Sequence, residues 1–237
     1  MLKVLLFLCL LFLPSGESLL DGAAPEQPLS APGPSSELAV GEELFEEMQL
    51  GGIVNFIAFR EAVAGYLRIA EKTKPIMTLI DFTKPSTEKR LYVFDMEEKK
   101  MVYSSVVAHG RNSGANYATS FSNEYGSYKS SLGFYLTENT YQGKNGYSLA
   151  LNGLEAGIND RAKQRAIVMH GAAYANPSTI ASGRLGRSLG CPALPQALAR
   201  PIIDTIKKGS VLFIYANDER YREQSSLLAA GESTSVL

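Results

Sequence analysis

The 237-residue chain predicts a mainly β domain with a helical lead-in and one helix near its C-terminus. Three observations carry this. Short β-branched and aromatic runs recur between about residues 75 and 217, one run at helical spacing precedes them, and another falls between the last two strands. The apolar content of 45% is enough for a sizeable core. A formal net charge of -1, clustered in neither sign, excludes the electrostatic footprint of a nucleic-acid binder.

The chain opens "MLKVLLFLCLLFLPSGES": one lysine, an unbroken apolar run from Val4 to Leu13, then Pro14 and small residues. This layout is a secretory signal peptide over residues 1–18, too short for a bilayer span of roughly 20 apolar residues. Cleavage near Ser18 exports the protein to the periplasm or cell envelope, with no membrane span left behind. Cys9 leaves with the signal. Residues 19–40, rich in Pro, Ser, Gly and Ala, read as a flexible linker.

A helical lead-in occupies residues 41–74. Its clearest part has Phe56, Phe59, Val63, Tyr66, Leu67 and Ala70 at steps of three and four, with Asn55 as N-cap and the Lys74-Pro75 pair as stop. The strands then follow: "IMTLIDF" from Ile76, "RLYVFDM" from Arg90 and "MVYSSVVAH" from Met101, the last two paired antiparallel around "DMEEKK". Further strands are "LGFYLTE" from Leu132, "YSLALNG" from Tyr147, "AIVMH" from Ala166 and "SVLFIY" from Ser210. The late helix is "QALARPIIDTIKKG", with Pro201 delaying its start and Gly209 ending it. Residues 218–237 form a polar, aperiodic tail.

Two histidines and two cysteines limit the chemistry. After export one thiol remains, Cys191, in a compartment where thiols usually form disulfides. It is an intermolecular bridge, a small buried hydrophobe or a reactive thiol. His170 ends an apolar strand and is followed by Gly171, and a loop then leads to "SLGCP". That loop is long enough to return Cys191 to His170. An imidazole beside a thiol supplies the base that a sulfur nucleophile needs, and Arg187 and Arg184 facing inward would favour the anion. Gly190, lacking a β-carbon, would let a substrate carbonyl reach the Gly190 and Cys191 N–H groups as an oxyanion hole. Ser188 is either a hydrogen-bond partner of the imidazole or ordinary turn chemistry. His109, in "AHGRNSG", is a second strand-end histidine, either a turn residue or a substrate contact. Tyr125, Tyr128, Tyr135 and Tyr141 either line a groove or pack. Metal binding fails on ligand count, a dithiol redox site lacks its second cysteine, and no cofactor motif occurs.

His170-Gly171, the loop and Ser188-Leu189-Gly190-Cys191 resemble the signature of the L,D-transpeptidases. "AHGRNSG", "SSLGFYLTENTYQGKNGYSLALNGLE", "GINDRAKQRAIVMHGA" and "GRLGRSLGCPALP" are similar to the murein L,D-transpeptidase catalytic domain subgroup. The resemblance implies a β-sandwich catalytic domain over residues 75–217, with Cys191 as nucleophile and His170 as base. It also implies peptidoglycan stem peptides as partners, with acyl transfer from diaminopimelate to an amine. L,D-carboxypeptidase hydrolysis of the same bond and an inert wall-binding scaffold are the alternatives. Leu189 and Ala193 stand where the wider family often has His and Arg or Asn, which leaves the substrate to Arg187, Arg184, Gly171, His109 or another arginine.

Overall fold

The computed structural model describes residues 34–228. The expected signal peptide, most of the expected linker and the last residues of the tail lie outside them. Among the described residues there are eight strands: β1 (Ile76–Asp81), β2 (Leu91–Asp95), β3 (Lys100–Ser105), β4 (Gly133–Gly143), β5 (Gly146–Gly153), β6 (Val168–Gly171), β7 (Ala193–Leu194) and β8 (Val211–Tyr215). They form one sheet in the order β3-β2-β1-β8-β4-β5-β6-β7. The β1–β8 and β6–β7 pairs are parallel and the others antiparallel.

The sequence dictates this order through burial. Strands β1 and β8 are apolar along nearly their whole length and buried at every position, so they occupy the middle, as parallel strands covered on both faces do. β3 is largely half-exposed and lies at an edge. Its chain continues past Ser105, and Ala108 bridges Ala193 while Gly110 bridges Ser188. The two edges of the sheet are thereby drawn together, which leaves few ladder groups unpaired. The mainly β architecture with a helical lead-in and a late helix therefore holds, its two halves joined through the β8–β4 ladder.

Helix α1 (Pro34–Glu47) packs with α2 (Phe56–Arg68) as a hairpin. The Asn55 side chain accepts from the Ile57 and Ala58 N–H groups, the expected N-cap. Phe59 joins the pair to the sheet, its ring edge-on to both Phe45 and Phe94 at centroid distances of 5.8 and 5.0 Å. A β-carbon at Gly65 would lie 2.0 Å from Phe134, so α2 seats on the sheet through its lack of a side chain there.

Four expectations need correction. Residues 34–40 belong to α1 rather than to a linker: Pro34 suits a helix start, and Glu37 is paired with Arg68 of α2 at 2.5 Å. α2 ends at Arg68, ahead of Pro75, because Ile69 turns to extended backbone and buries. The late helix, α3 (Gln196–Ile206), runs through Pro201. Pro201 and Ala197, whose carbonyl loses its amide partner, are both exposed, so water can serve that carbonyl while Ala199, Ile202, Ile203 and Ile206 stay buried. The start of the tail is ordered as α4 (Glu219–Gln224), with Asp218 as N-cap and Tyr221 buried. Tyr221 donates to buried Glu155, and Arg68 Nη1 donates to the Leu227 carbonyl at 2.6 Å.

Among the described residues no helix is long and apolar enough to cross a membrane.

Candidate active site

The parallel β6–β7 register sets His170 opposite Ala193, so Cys191 and Val168 lie together two residues earlier. The Val168 N–H donates to Cys191 Sγ at 3.5 Å, and Sγ–H points to the Ala166 carbonyl at 3.7 Å. His170 and Val168 are two residues apart on β6 and share a face of that strand, and the Val168 N–H is the one that meets Sγ. His170 and Cys191 are almost wholly buried, at 4% and 8% exposure. No hydrogen bond joins the His170 ring to Sγ. Nδ1 instead lies 3.0 Å from the Gly171 carbonyl. A carbonyl only accepts, so Nδ1 carries the proton and Nε2 keeps its lone pair.

Burial disfavours both charges. It pushes the His170 imidazole below its usual range, the Gly171 carbonyl opposing this. It pushes the Cys191 thiol up, against the Val168 N–H, the Arg165 guanidinium and its own backbone N–H, which pull it down. The resting pair at neutral pH is therefore an uncharged imidazole and a thiol.

Ser188 occupies the turn before the cysteine. Its hydroxyl donates to the Cys191 carbonyl at 2.6 Å and accepts from the Gly190 N–H at 3.0 Å. That second bond corrects the expected oxyanion hole, because the Gly190 N–H is already engaged. The space beside Gly190 is also filled: a β-carbon there would lie 2.8 Å from Ile167 and 2.9 Å from the Lys129 carbonyl, at a φ of +126°. Backbone conformation and chain packing already require glycine at this position.

The expected substrate contacts are scattered. Arg187 donates to the Arg111 and Gly114 carbonyls, both at 2.9 Å, and so braces a loop. Arg184 donates to the adjacent Leu185 carbonyl. Gly171 faces α3, where a β-carbon would lie 2.9 Å from that of Ala199. His109 is fully buried, its Nδ1 2.8 Å from Arg90 Nη2. None of the four is aimed at Sγ through these contacts. Of the four tyrosines, Tyr135 is fully buried, while Tyr125, Tyr128 and Tyr141 are exposed.

Sequence reasoning missed two residues of this neighbourhood. Arg165 lies in the turn before β6, and its charge is felt at Cys191. Tyr174 sits in the short 3-10 turn Ala173–Ala175, where burial, with Cys191 adding to it, pushes its phenol up to about 12. Their only sequence signal was proximity to His170. Among the described residues no cluster of His, Cys, Asp and Glu could hold a metal ion.

The L,D-transpeptidase catalytic domain model matches residues 52–215, well over half of the chain. The chain belongs to the L,D-transpeptidase catalytic domain family. An L,D-transpeptidase from Mycobacterium smegmatis is similar at 11% identity, covering 60% of this chain and 59% of that one, with a TM-score of 0.37. L,D-transpeptidase 3 from Mycobacterium tuberculosis gives 11% identity, coverages of 60% and 61%, and a TM-score of 0.39. An L,D-transpeptidase from Stackebrandtia nassauensis gives 14%, 76% and 78%, with a TM-score of 0.36. This family member thus spans about three fifths of the length of the two mycobacterial structures. No curated protein matches it.

Proposed function

We propose that the protein is an exported L,D-transpeptidase in which Cys191 attacks a peptidoglycan stem peptide at diaminopimelate and passes the acyl group to an amine. Its partners are stem peptides, and its place is the periplasm or cell envelope, as the signal-like N-terminus suggests. The observation that carries the reading is the hydrogen bond from His170 Nδ1 to the Gly171 carbonyl. It fixes the tautomer whose Nε2 is a base, on the strand beside the thiol.

Nε2 takes the thiol proton as sulfur attacks the carbonyl carbon, forming the C–S bond and a tetrahedral oxyanion. The oxyanion is served by the Cys191 N–H, since the Gly190 N–H is held by Ser188. The C–N bond to the terminal D-amino acid then breaks, and His170 returns the proton to the leaving amine. A second amine attacks the thioester with Nε2 again as base, and the thiolate leaves and is reprotonated. Ser188 acts through the backbone, by fixing the Gly190–Cys191 turn with its two bonds.

Incubating the protein with disaccharide-tetrapeptide and separating the products by mass spectrometry tests this. A crosslinked dimer with loss of the terminal residue is expected from the wild type and none from Cys191→Ser. A tripeptide alone would assign hydrolysis instead, and no turnover would overturn the enzyme reading.

A further inference from the structure

We propose that Arg165 is a positioning residue for Cys191: a braced guanidinium behind the Gly190–Cys191 turn that stabilises the thiolate. The proposal rests on Cys191 being the nucleophile.

The brace begins with the backbone. The Ile167 N–H reaches back to the Ala162 carbonyl at 2.9 Å and the Ala166 N–H to the Lys163 carbonyl at 3.0 Å, the nested pair that ends a helical turn. Ala166 holds the left-handed position at a φ of +51°, which a residue with a β-carbon adopts only at a cost. Beyond this reversal, the Ala166 carbonyl and the Val168 N–H both meet Sγ. Before it, the Arg165 side chain reaches the same cysteine turn at Gly190.

There the guanidinium fork is held by four acceptors. Nη1 donates to the Ser122 carbonyl at 2.7 Å and to Ser131 Oγ. Nη2 donates to the Lys129 carbonyl at 2.6 Å and to Ser127 Oγ at 3.2 Å. Nη2 also lies 3.5 Å from the point where a Gly190 β-carbon would stand, and the Lys129 carbonyl 2.9 Å from that point. All four partners are neutral. The nearby carboxylate, Glu124, is instead paired with Arg161 at 3.2 Å. The charge therefore has no counter-ion in contact, and Cys191 is an ionisable group within its reach.

The other titratable groups of this neighbourhood do not supply that charge. His170 of β6 is neutral at pH 7, and the Tyr174 phenol stays protonated. Arg165 offsets part of the burial that disfavours the thiolate. A lysine keeps the positive charge at this position, and that charge is what acts on the thiol.

The test is the pH profile of Cys191 alkylation by iodoacetamide in wild type, Arg165→Gln and Arg165→Lys, with thermal melts confirming the folded state. This reads the thiol without any turnover, so it stands even if the peptidoglycan substrate is wrong. The Gln variant is expected to shift the profile upward by about 1 pH unit. Its acylation kcat on the tetrapeptide should fall about tenfold with KM little changed. The Lys variant should restore the wild-type profile. Coincident wild-type and Gln profiles would overturn the proposal, as would a Lys profile displaced as far as the Gln one. Should the Gln variant not fold, Lys against wild type decides: coincident profiles support the cation, and an upward shift rejects it.

Discussion

His109 and His170 begin as the same feature, a histidine closing an apolar run and followed by glycine, and end in opposite states. At His170, Nδ1 meets the Gly171 carbonyl, an acceptor. At His109, Nδ1 meets the Arg90 guanidinium, a donor. The first contact leaves Nε2 free to take a proton. The second consumes the lone pair on Nδ1 and puts the hydrogen on Nε2, which faces the Gly114 carbonyl at 3.4 Å. One acceptor or one donor at the same ring atom thus separates a ring with an open Nε2 lone pair from a structural clamp.

The clamp is extensive. Arg90, fully buried, also donates to the Val107 and Lys84 carbonyls and lies 4.9 Å over the Phe82 ring. Burial pushes its pKa down to about 9, with Asp81 opposing, so it remains a cation at neutral pH. Burial, with the Arg90 charge adding to it, lowers His109 to about 4. The His109 backbone closes the sheet edge, its carbonyl accepting from the Ser188 N–H at 2.9 Å. The second histidine therefore holds the chain in two ways, by its ring on Arg90 and by its carbonyl on Ser188.

The largest effect should come from breaking this contrast with asparagine, which reproduces the position of Nδ1 and removes Nε2. His170→Asn is expected to lower the rate of Cys191 acylation by tetrapeptide by about 10²- to 10⁴-fold, the ordinary worth of a general base. His109→Asn keeps an acceptor for Arg90 and should stay within about tenfold of wild type. Stopped-flow or mass-spectrometric acylation rates decide it. Equal losses in the two variants would show that the tautomer argument has misassigned the base.

The next effect is in stability. His109 is neutral in the fold down to about pH 4, whereas its unfolded counterpart takes a proton near 6.5. Its contribution is fully present above pH 6.5 and is lost as the pH falls toward 4, because the unfolded chain binds the extra proton in that window. The loss attributable to it is about 3 kcal/mol. Urea midpoints across this range should fall with pH in the wild type and fall less in His109→Asn, which cannot protonate. An unchanged slope in the variant would place the titration elsewhere.

Much of this was legible in the sequence where one local signal decided the outcome. The apolar runs at Ile76 and Val211 became the two central strands, and Asn55 capped its helix. What was not legible depended on distant partners. α1 exists because Glu37 finds Arg68, and α4 because Tyr221 finds Glu155. β7 has only two residues and is a strand only through its pairing with His170 and Ala108. The return of the loop that brings Cys191 to the strand of His170 was readable from spacing. The engagement of the Gly190 N–H by Ser188 was not, because spacing gives proximity but not the direction of a hydrogen bond.

The smallest effect, a difference of about 2 kcal/mol between two variants, concerns the glycine after each histidine. A β-carbon on Gly110 would meet three backbone atoms: the Tyr128 carbonyl oxygen at 2.6 Å, the Ser130 nitrogen at 2.9 Å and Gly190 Cα at 3.0 Å. On Gly171 it would meet the Ala199 methyl at 2.9 Å and little else. Backbone held by its own hydrogen bonds cannot give way, since the Gly110 N–H donates to Ser130 Oγ and the Ser130 N–H to Ser113 Oγ. Helix α3 can tilt by a few tenths of an ångström. Gly110→Ala should therefore cost about 3 kcal/mol and Gly171→Ala about 1 kcal/mol, the two ends of the usual overpacking range. Chemical denaturation of both variants checks the order. A reversed order would mean that α3, not the loop carrying Tyr128 and Ser130, is the rigid wall of the site.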